Sequence, residues 1–392
     1  MFSVVKLRDV VSGATGSRNP TKAPEESFAY VDVAAVDNNA KAIVGARTVV
    51  GVDAPSRARK LIRRGDILIS TVRPNLNAVA MVPPELDGQV ASTGFCVLRA
   101  TEKVLPEYLF FFTRAKTFVD GLSSLVAGAL YPAVSDSQVL DQELPLPPLP
   151  EQGRIVDLLS RAEGIVRLRR EAEKKAAELI PALFLDMFGD PGGNPKGWPE
   201  QRLGNIAAVV SGVTKGRKFG DKKTVEVPYL RVANVQAGHI NLSEVKTIEV
   251  LPQEVIQLAL QHGDVVLTEG GDFDKLGRGA LWEHNIPNCI HQNHVFRVRL
   301  DMSIALPEFF VTYLQAGKAR EYFLLCAKRT TNLASINMTQ LRDLPVVLPA
   351  LQIQQSFVDR FRDARSIQDQ QSAATVKAQS AFDALLSGVF SG

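Results

Sequence analysis

The chain has few of the residues that build disulfide frameworks, and it lacks long apolar runs. Its 392 residues include three cysteines, Cys96, Cys289 and Cys326. So few cysteines in a chain of this length form no disulfide framework and indicate a reducing compartment. No apolar run reaches the roughly 18 residues of a membrane span, and Met1 is not followed by a signal region. We therefore expect a soluble cytoplasmic protein with no membrane partner.

A strong excess of one charge is also missing. Lysine and arginine number 45 and aspartate and glutamate 42, which gives a net charge of +3. The chain as a whole is not a polycation, so any nucleic-acid surface must arise from local clusters of basic residues. Hydrophobic residues make up 45% of the chain, which is enough for two or three domains with real cores.

Sequence motifs for catalysis are absent. There is no Gly-x-x-x-x-Gly-Lys-[Ser/Thr] phosphate loop. The two Asn-Pro pairs, at Asn19 and Asn194, lack the aromatic residue that an adenine methyltransferase motif needs. We predict that the chain is not an enzyme. The competing hypotheses are an enzyme that uses Asp272, Asp274 and His294, and a structural tether between two protein-binding modules.

Two short segments resemble metal sites without completing them. The segment from Asp272 to Glu283 has the acids and glycine of a calcium loop, but Leu276 stands where a side-chain oxygen is needed. Cys289, His291 and His294 lie close together without paired Cys-x-x-Cys spacing. We predict no bound metal, and we expect the segment from His291 to His294 either to supply polar contacts or to satisfy hydrogen bonds at a strand end.

The chain is duplicated. Two proline-rich segments each lead into a long helical pattern, and two further blocks recur at offsets of 198 and 201 residues. A period near 200 is far longer than that of a solenoid, so it indicates two copies of a globular unit followed by a helix. The paired segments are Leu144–Gln152 with Leu344–Gln354, Arg64–Ser70 with His262–Thr268, and Leu105–Phe110 with Leu306–Val311.

Each long helical pattern carries an apolar seam. Spacings of three and four residues predict that the two helices pack on each other as an antiparallel coiled coil, with the globular units at opposite ends. Binding of a partner to the outer faces would be an additional role. The predicted seam residues are Ile155, Leu158, Ile165, Leu179 and Leu183 in the first helix, and Phe357, Phe361, Phe382 and Leu385 in the second.

The globular units show short β-rich runs between glycine, proline and asparagine turns, and a helix after Pro106 and Pro307. This pattern predicts an α+β fold: two duplicated, mostly-β domains separated by two long helices. The predicted boundaries are 1–150 for the first domain, 151–190 for the central helix, 191–350 for the second domain and 351–392 for the C-terminal helix.

Basic and amide side chains gather where loops are predicted. Such side chains can hydrogen-bond both phosphates and base edges, although a single cluster is more often a solvated face. Their recurrence in two duplicated units favours DNA binding. The candidates are Arg18, Lys22, Arg57, Arg59, Arg73, Asn75 and Asn77 in the first unit, and Lys215, Arg217, Lys218, Lys275, Arg278, Gln292, Asn293, Lys328 and Arg329 in the second.

Together these features resemble the specificity subunits of type I restriction-modification systems. The resemblance covers the whole chain and rests on the proline motif Leu144–Gln152, its degenerate repeat Leu344–Gln354, and the entry motif from Trp198 to Thr214. The second proline motif departs from the first: it lacks an equivalent of Pro147 and has gained a residue before Gln354.

The resemblance implies a role in DNA recognition. The two globular units would be target recognition domains, each reading one half of a split, asymmetric site in double-stranded DNA. The helices would set the spacer and dock two modification (methyltransferase) subunits, with restriction (nuclease and translocase) subunits in the same complex. Cofactors are expected only in those partner subunits, as S-adenosylmethionine, ATP and Mg, and none in this chain.

Overall fold

A computed structural model of the chain describes residues 2–390, except 14, 127, 129, 272–275, 285 and 330–333. The chain divides into two compact units. Unit 1 comprises Met1–Glu171 and Ala373–Gly392, and unit 2 comprises Ala172–Ser372. Within the described ranges, no helix is both long and apolar enough to cross a membrane.

In its described residues, unit 1 has four small sheets and short helices around cores of valine, isoleucine, leucine and phenylalanine. Two of the sheets have two strands: Ser3–Lys6 pairs with Glu143–Leu146, and Val36–Asp37 pairs with Ala42–Ile43. A three-stranded sheet has the strand order Phe95–Leu98, Ile67–Ser70, Val79–Met81. A four-stranded sheet has the strand order Arg47–Val50, Ser27–Val31, Val90–Ser92, Ala58–Leu61. The helices before the central helix are Pro106–Phe112, Lys116–Ser124 and Asp136–Leu140.

Unit 2 repeats this plan. In a two-stranded sheet, Glu200–Arg202 pairs with Pro345–Val347. A four-stranded sheet has the strand order Ala207–Ser211, Val295–Leu300, Val265–Thr268, Gly279–Leu281. Two three-stranded sheets have the orders Lys246–Val250, Val225–Leu230, Ile290–His291 and Gly270–Gly271, Ala334–Ser335, Lys328–Arg329. Its short helices are Leu203–Ile206, Pro252–Leu258, Pro307–Gln315, Gly317–Cys326 and Met338–Arg342. The predicted α+β architecture is confirmed, and Pro106 and Pro307 each begin a helix.

The proline motif has the same structural role in both units. In unit 1, the fully buried Gln152 accepts from the Leu105 amide at 2.8 Å and donates to the Pro147 carbonyl at 2.9 Å. In unit 2, Gln354 makes the matching bonds to the Leu306 amide at 2.9 Å and the Pro349 carbonyl at 2.8 Å. Each glutamine therefore fastens the start of a long helix to the start of the helix that begins at Pro106 or Pro307.

These bonds correct the alignment of the second motif. Just before each motif, the short helices Asp136–Leu140 and Met338–Arg342 are 202 residues apart, and the Leu7 and Leu203 amides donate to the carbonyls of Gln142 and Leu344, which are also 202 apart. The glutamine acceptors Pro147 and Pro349 are 202 apart. The offset is the same before and within the motif, so the second motif has gained no residue, and Pro349 takes the place of Pro147.

The central helix, Leu149–Ala177, and the C-terminal helix, Leu351–Phe390, contribute residues to both units. The central helix ends one residue before a further helix, Leu179–Phe188. Pro181 lies in the first turn of that helix and has no N–H to bond the Ala177 carbonyl, which accounts for the break.

The long helices run antiparallel within each unit, which confirms the predicted coiled coil. In unit 1, Arg170 donates to Gln379 at 2.8 Å, while the earlier Val166 and the later Phe382 and Phe390 share one apolar core. In unit 2, Gln368 donates to the Ala176 carbonyl at 3.0 Å. Further along, the rings of Phe184 and Phe357 lie 5.6 Å apart.

The predicted seam is wrong at four positions. Ile155, Phe357, Phe361 and Phe382 are buried and Leu183 is partly buried. By contrast, the exposed fractions of Leu158, Ile165, Leu179 and Leu385 are 47%, 54%, 40% and 36%.

The buried stripe in unit 1 follows Ile155, Leu159, Ala162 and Val166 instead. A shift of one position turns a side chain about 100° around a helix. Leu158 and Ile165 therefore point away from the stripe that packs. At the positions predicted for Leu179 and Leu385, the next residues, Ile180 and Leu386, contact the core instead.

Candidate nucleic-acid interface

A buried ion pair occupies the equivalent position in each unit, before the strand that leads into a candidate loop. Asp66 is 1% exposed and accepts from Arg99 at 2.8 and 2.6 Å. Asp264, also 1% exposed, accepts from Arg299 at 2.7 and 2.8 Å. The hydrogen bonds that the two guanidinium groups donate to these carboxylates raise the pKa of both arginines. In each unit the aspartate lies immediately before the strand that leads into a candidate loop, Ile67–Ser70 or Val265–Thr268, and its arginine comes from the neighbouring antiparallel strand or the residue after it.

The loop of unit 1 from Thr71 to Asn77 is held in an unusual conformation. Arg73 and Asn77 are both left-handed, with φ of +50° and +46°, and enclose one turn of 3-10 helix, Pro74–Leu76. The Arg73 amide donates to the Pro132 carbonyl at 2.8 Å, and Lys41 donates to the Asn77 carbonyl at 2.6 Å. Backbone bonds to distant segments thus fix the loop at both ends.

A hollow adjoins this loop, and a second hollow has Val33 and Ala34 in common with its lining. One, of about 570 Å³, is lined by Arg73. The other, of about 430 Å³, is lined by Arg57 and Arg47. The structure therefore brings together two predicted residues, Arg57 and Arg73, with one that the sequence reasoning missed.

The remaining candidates of unit 1 are arranged differently. The Arg18 amide bonds the Arg59 carbonyl, so these residues are neighbours, but the Arg18 guanidinium pairs with Glu26 at 2.5 Å. Arg59 donates to the carbonyl of Ala58. Lys22 and Asn75 are exposed, and Asn77 is partly buried. Intramolecular partners therefore already engage Arg18 and Arg59, in contrast to the exposed Lys22.

In unit 2, backbone bonds bring two predicted groups together. The Val213 amide donates to the His291 carbonyl, and the Asn293 amide donates to the Val213 carbonyl, both at 2.9 Å. The segment that carries Lys215 and Lys218, which are exposed, therefore starts beside Gln292 and Asn293. A Cβ on Gly212 would lie 1.9 Å from the His291 carbonyl oxygen, so only glycine permits this approach.

Arg217 is committed within the chain. Its guanidinium donates to both carboxylate oxygens of Glu254, at 2.6 and 3.0 Å, and lies 5.0 Å from the ring centre of Phe219. The hydrogen bond from Arg217 lowers the pKa of Glu254. This pair orders the base of the loop, while Lys215 and Lys218 are exposed beyond it.

Of the remaining candidates, Arg278 is partly buried and donates to Gln236 at 2.9 Å. Lys275 lies outside the described residues, as do the side chains of Lys328 and Arg329, whose backbone forms an edge strand. Asp272 and Asp274 of the calcium-like segment also lie outside the described residues.

The cysteine and histidine cluster does not assemble a metal site. Burial raises the pKa of the Cys289 thiol to about 12, so it stays protonated. His291 is buried, its Nδ1 lies 2.6 Å from the Val295 carbonyl, and burial lowers its pKa to about 4. His294 is more than half exposed and pairs with Glu269. Over the described part of the chain, no three His, Cys, Asp or Glu side chains are placed to hold a metal ion.

Comparison with known proteins agrees with this arrangement. Residues 2–178 and 195–373 each match the profile of the type I restriction modification DNA specificity domain. The chain is 26% identical over 320 residues to the type I restriction enzyme EcoKI specificity subunit of Escherichia coli (strain K12), which covers 76% of this chain and 68% of the relative. It is 24% identical over 259 residues to the MjaIX specificity subunit of Methanocaldococcus jannaschii, which covers 60% of this chain and 59% of that one.

Solved structures show the same fold. One chain, from work on complex assembly and conformational transition of the type I R-M system, is 29% identical, with a TM-score of 0.67 over 98% of this chain and 96% of that one. The type I S subunit of M. genitalium is 14% identical, covers 100% of this chain and 96% of that one, and has a TM-score of 0.53, which shows the fold alone. With two matched copies of the domain on the duplicated scaffold, the chain belongs to the family of DNA specificity subunits of type I restriction-modification systems.

Proposed function

We propose that unit 1 and unit 2 each read one half of a bipartite, asymmetric site in double-stranded DNA. The observation that carries the proposal is a shared scaffold with different loops. The pairs Asp66–Arg99 and Asp264–Arg299 are equivalent, yet the strand after Asp66 leads to Arg73 and the strand after Asp264 leads to Glu269. Side chains of opposite charge at equivalent loops favour different bases, so the two half-sites differ.

We also propose that the exposed basic residues neutralise phosphates. Arg57, Arg73, Lys215 and Lys218 are exposed on the loops described above. Phosphate contacts position a protein on the duplex, whereas amide and guanidinium contacts to base edges specify sequence. Asn75, two residues after Arg73, and Gln292, which the bridge to Val213 brings beside the segment that carries Lys215, supply such amides.

The outer faces of the long helices would dock two modification subunits. In unit 1, Leu158, Ile165 and Leu168 are exposed on one side of the central helix. In unit 2, Leu179 and Leu185 are exposed on the helix that follows. Apolar side chains on a solvent-facing stripe are typical of a protein interface. Methyl transfer from S-adenosylmethionine, and any ATP- and Mg-dependent cleavage by restriction subunits, would then take place in the partner chains.

Methylation mapping tests the proposal directly. Genomes of the host with and without this chain are compared, with the partner subunits present in both. We expect an asymmetric, two-part motif to be methylated only in the presence of the chain. A palindromic motif, or no change in methylation, would contradict the proposal.

A salt titration tests the phosphate contacts. The logarithm of the binding constant should fall with the logarithm of salt concentration by about 0.9 per neutralised phosphate. Lys215→Gln with Lys218→Gln should flatten the slope by about 1.8 if both contact phosphates. Lys116→Gln is the matched control, because its exposed side chain lies on a short helix of unit 1 outside the candidate loops. An unchanged slope in the double variant would place the DNA surface elsewhere.

A further inference from the structure

Unit 1 exposes a cluster of large apolar side chains beside Arg73. The exposed fractions of Val72, Leu76 and Tyr131 are 41%, 49% and 84%, and all three line the hollow of about 570 Å³. Val72 is bridged to Ala133, and the Arg73 amide is bonded to the Pro132 carbonyl, so the two segments form one surface. We call Val72, Arg73, Leu76 and Tyr131 the Arg73 patch. Concentrated exposed apolar surface of this kind marks a binding site.

The backbone beneath the patch is held in a costly conformation. Lys41, Arg73 and Asn77 have positive φ, and they are three of the five such non-glycine residues in the described part of the chain. Left-handed backbone is unfavourable for long side chains, and it persists only where the surroundings impose it. Here the bond from Lys41 to the Asn77 carbonyl ties two of these positions together. The patch is therefore presented to a ligand in a preset shape.

The charges around the patch indicate the ligand. Arg73 lines the hollow itself, and Arg57 lines the adjoining one. A positively charged rim beside an apolar floor suits the edge of a base pair flanked by phosphates. In the major groove, the apolar feature of a base is the C5-methyl group of thymine, which distinguishes it from the other bases.

We infer that unit 1 recognises thymine in its half-site through contact between the methyl group and Val72, Leu76 and Tyr131, with Arg73 hydrogen-bonding alongside. This inference rests on the proposed function and adds a base identity to it. The equivalent surface of unit 2 differs: Gly270 pairs with Ser335, where Val72 is bridged to Ala133 in unit 1. Thymine recognition of this kind is therefore expected in one half-site only.

Uracil substitution tests the inference, because uracil lacks only the methyl group of thymine. The full chain, assembled with its modification subunits, is titrated with DNA duplexes that contain the site identified by methylation mapping. Thymines are replaced by uracil in one half-site at a time. Replacing residues 191–343 of unit 2 with the matching segment of a related chain should change only the half-site of unit 2, so the half-site that persists is that of unit 1. We expect the Kd to rise about three- to tenfold per contacted methyl in the half-site of unit 1, and to stay unchanged in the other.

Variants separate methyl contact from general DNA contact. Tyr131→Ala and Leu76→Ala should weaken binding to the thymine duplex and abolish the difference between thymine and uracil. Leu325→Ala is the control, since this side chain is 85% exposed on unit 2. Equal weakening for both duplexes, no effect of uracil, or a half-site of unit 1 without thymine would overturn the inference. In each of those cases the wild-type chain would still bind its DNA site specifically, so the proposed function would remain. Failure of the wild-type chain to bind any DNA site specifically would instead refute the proposed function.

Discussion

Gln152 makes three hydrogen bonds through one fully buried amide group. It accepts from the Leu105 amide and donates to the carbonyls of Pro147 and Lys103. A buried backbone group that loses its partner costs its full desolvation penalty. The glutamine of the proline motif therefore stabilises the fold, because it satisfies the hydrogen bonds of buried backbone groups where the strand Glu143–Leu146, the helix Pro106–Phe112 and the central helix meet.

Gln152→Met keeps the side-chain volume and removes all three bonds. We expect the free energy of unfolding of unit 1 to fall by about 2–4 kcal/mol, because three backbone groups are left unpaired. Urea unfolding followed by circular dichroism measures the loss. Gln355→Met is the control, since Gln355 is exposed and its side chain donates to the exposed Asp359. Equal stability of the two variants would show that the buried amide has no special role.

His291 makes the stability of unit 2 depend on pH. Burial lowers its pKa to about 4, whereas the unfolded chain has the ordinary value of 6.5. Between these values the unfolded chain binds a proton that the folded chain does not, so the free energy of unfolding falls as the pH falls. From pH 7.5 to 5 the loss should be about 2 kcal/mol.

Urea titrations at the two pH values measure this effect in the wild type and in His291→Asn, whose amide can still donate to the Val295 carbonyl. We expect the variant to lack the extra 2 kcal/mol or so of pH dependence. His294→Asn, at an exposed position, should keep it. An identical pH slope in all three chains would mean that His291 is not the group that titrates.

Single residues show where sequence reasoning ends. Arg57 and Arg73 could be selected as candidates because their type and loop context are visible in the sequence. Tyr131 could not, because it joins Arg73 only through pairing between segments about sixty positions apart. Arg47 was missed for the same reason, since only the folded sheet brings it to the hollow that Arg57 lines.

At the scale of elements, the short strands and the two long helices were predictable, because β-branched runs and three-to-four spacing are local signals. The face of each long helix that packs against the other was not predictable. The central helix carries apolar residues at both Ile165 and Val166, and spacing alone does not say which one faces the partner helix. The structure places Val166 in the core at 5% exposure and Ile165 at 54%.

These neighbours provide a matched pair of substitutions. Val166→Asp buries an unpaired charge between the helices and should destabilise unit 1 by about 3 kcal/mol or more. Ile165→Asp should change stability by less than about 0.5 kcal/mol, because the side chain is largely exposed. If the outer face docks modification subunits, Ile165→Asp should still lower their binding.

Urea unfolding and co-purification with the modification subunit give the two readouts. Comparable destabilisation by both variants would mean that the two helices pack differently from the arrangement described here. Full partner binding by Ile165→Asp would remove Ile165 from the proposed docking face.

For the whole molecule, the duplicated plan predicts that the two readers can be exchanged independently. Residues 191–343 lie within unit 2, and unit 1 contains none of them. Replacing them with the matching segment of a related chain should change one half of the methylated site and keep the other half and the spacer. Methylation mapping of the exchange strain is the measurement. A change in both halves would require a single composite DNA surface.

The spacer itself should respond to helix length. Seven residues inserted after Glu171 and seven after Ser372 add about 10.5 Å at 1.5 Å per residue, which corresponds to about three base pairs at 3.4 Å each. Seven residues complete nearly two turns, so the apolar seam stays close to its original face. We expect both half-sites to persist in the methylated motif with a spacer about three base pairs longer.

Insertions of five residues at the same two points are the control. They turn the following part of each seam by about 140°, because each residue advances about 100° around the helix. The paired helices would then no longer match, and we expect methylation to be lost rather than shifted to a new spacing. If the seven-residue insertions left the spacer unchanged, helix length would not be what determines it, and the distance between the half-sites would have to come from the partner subunits.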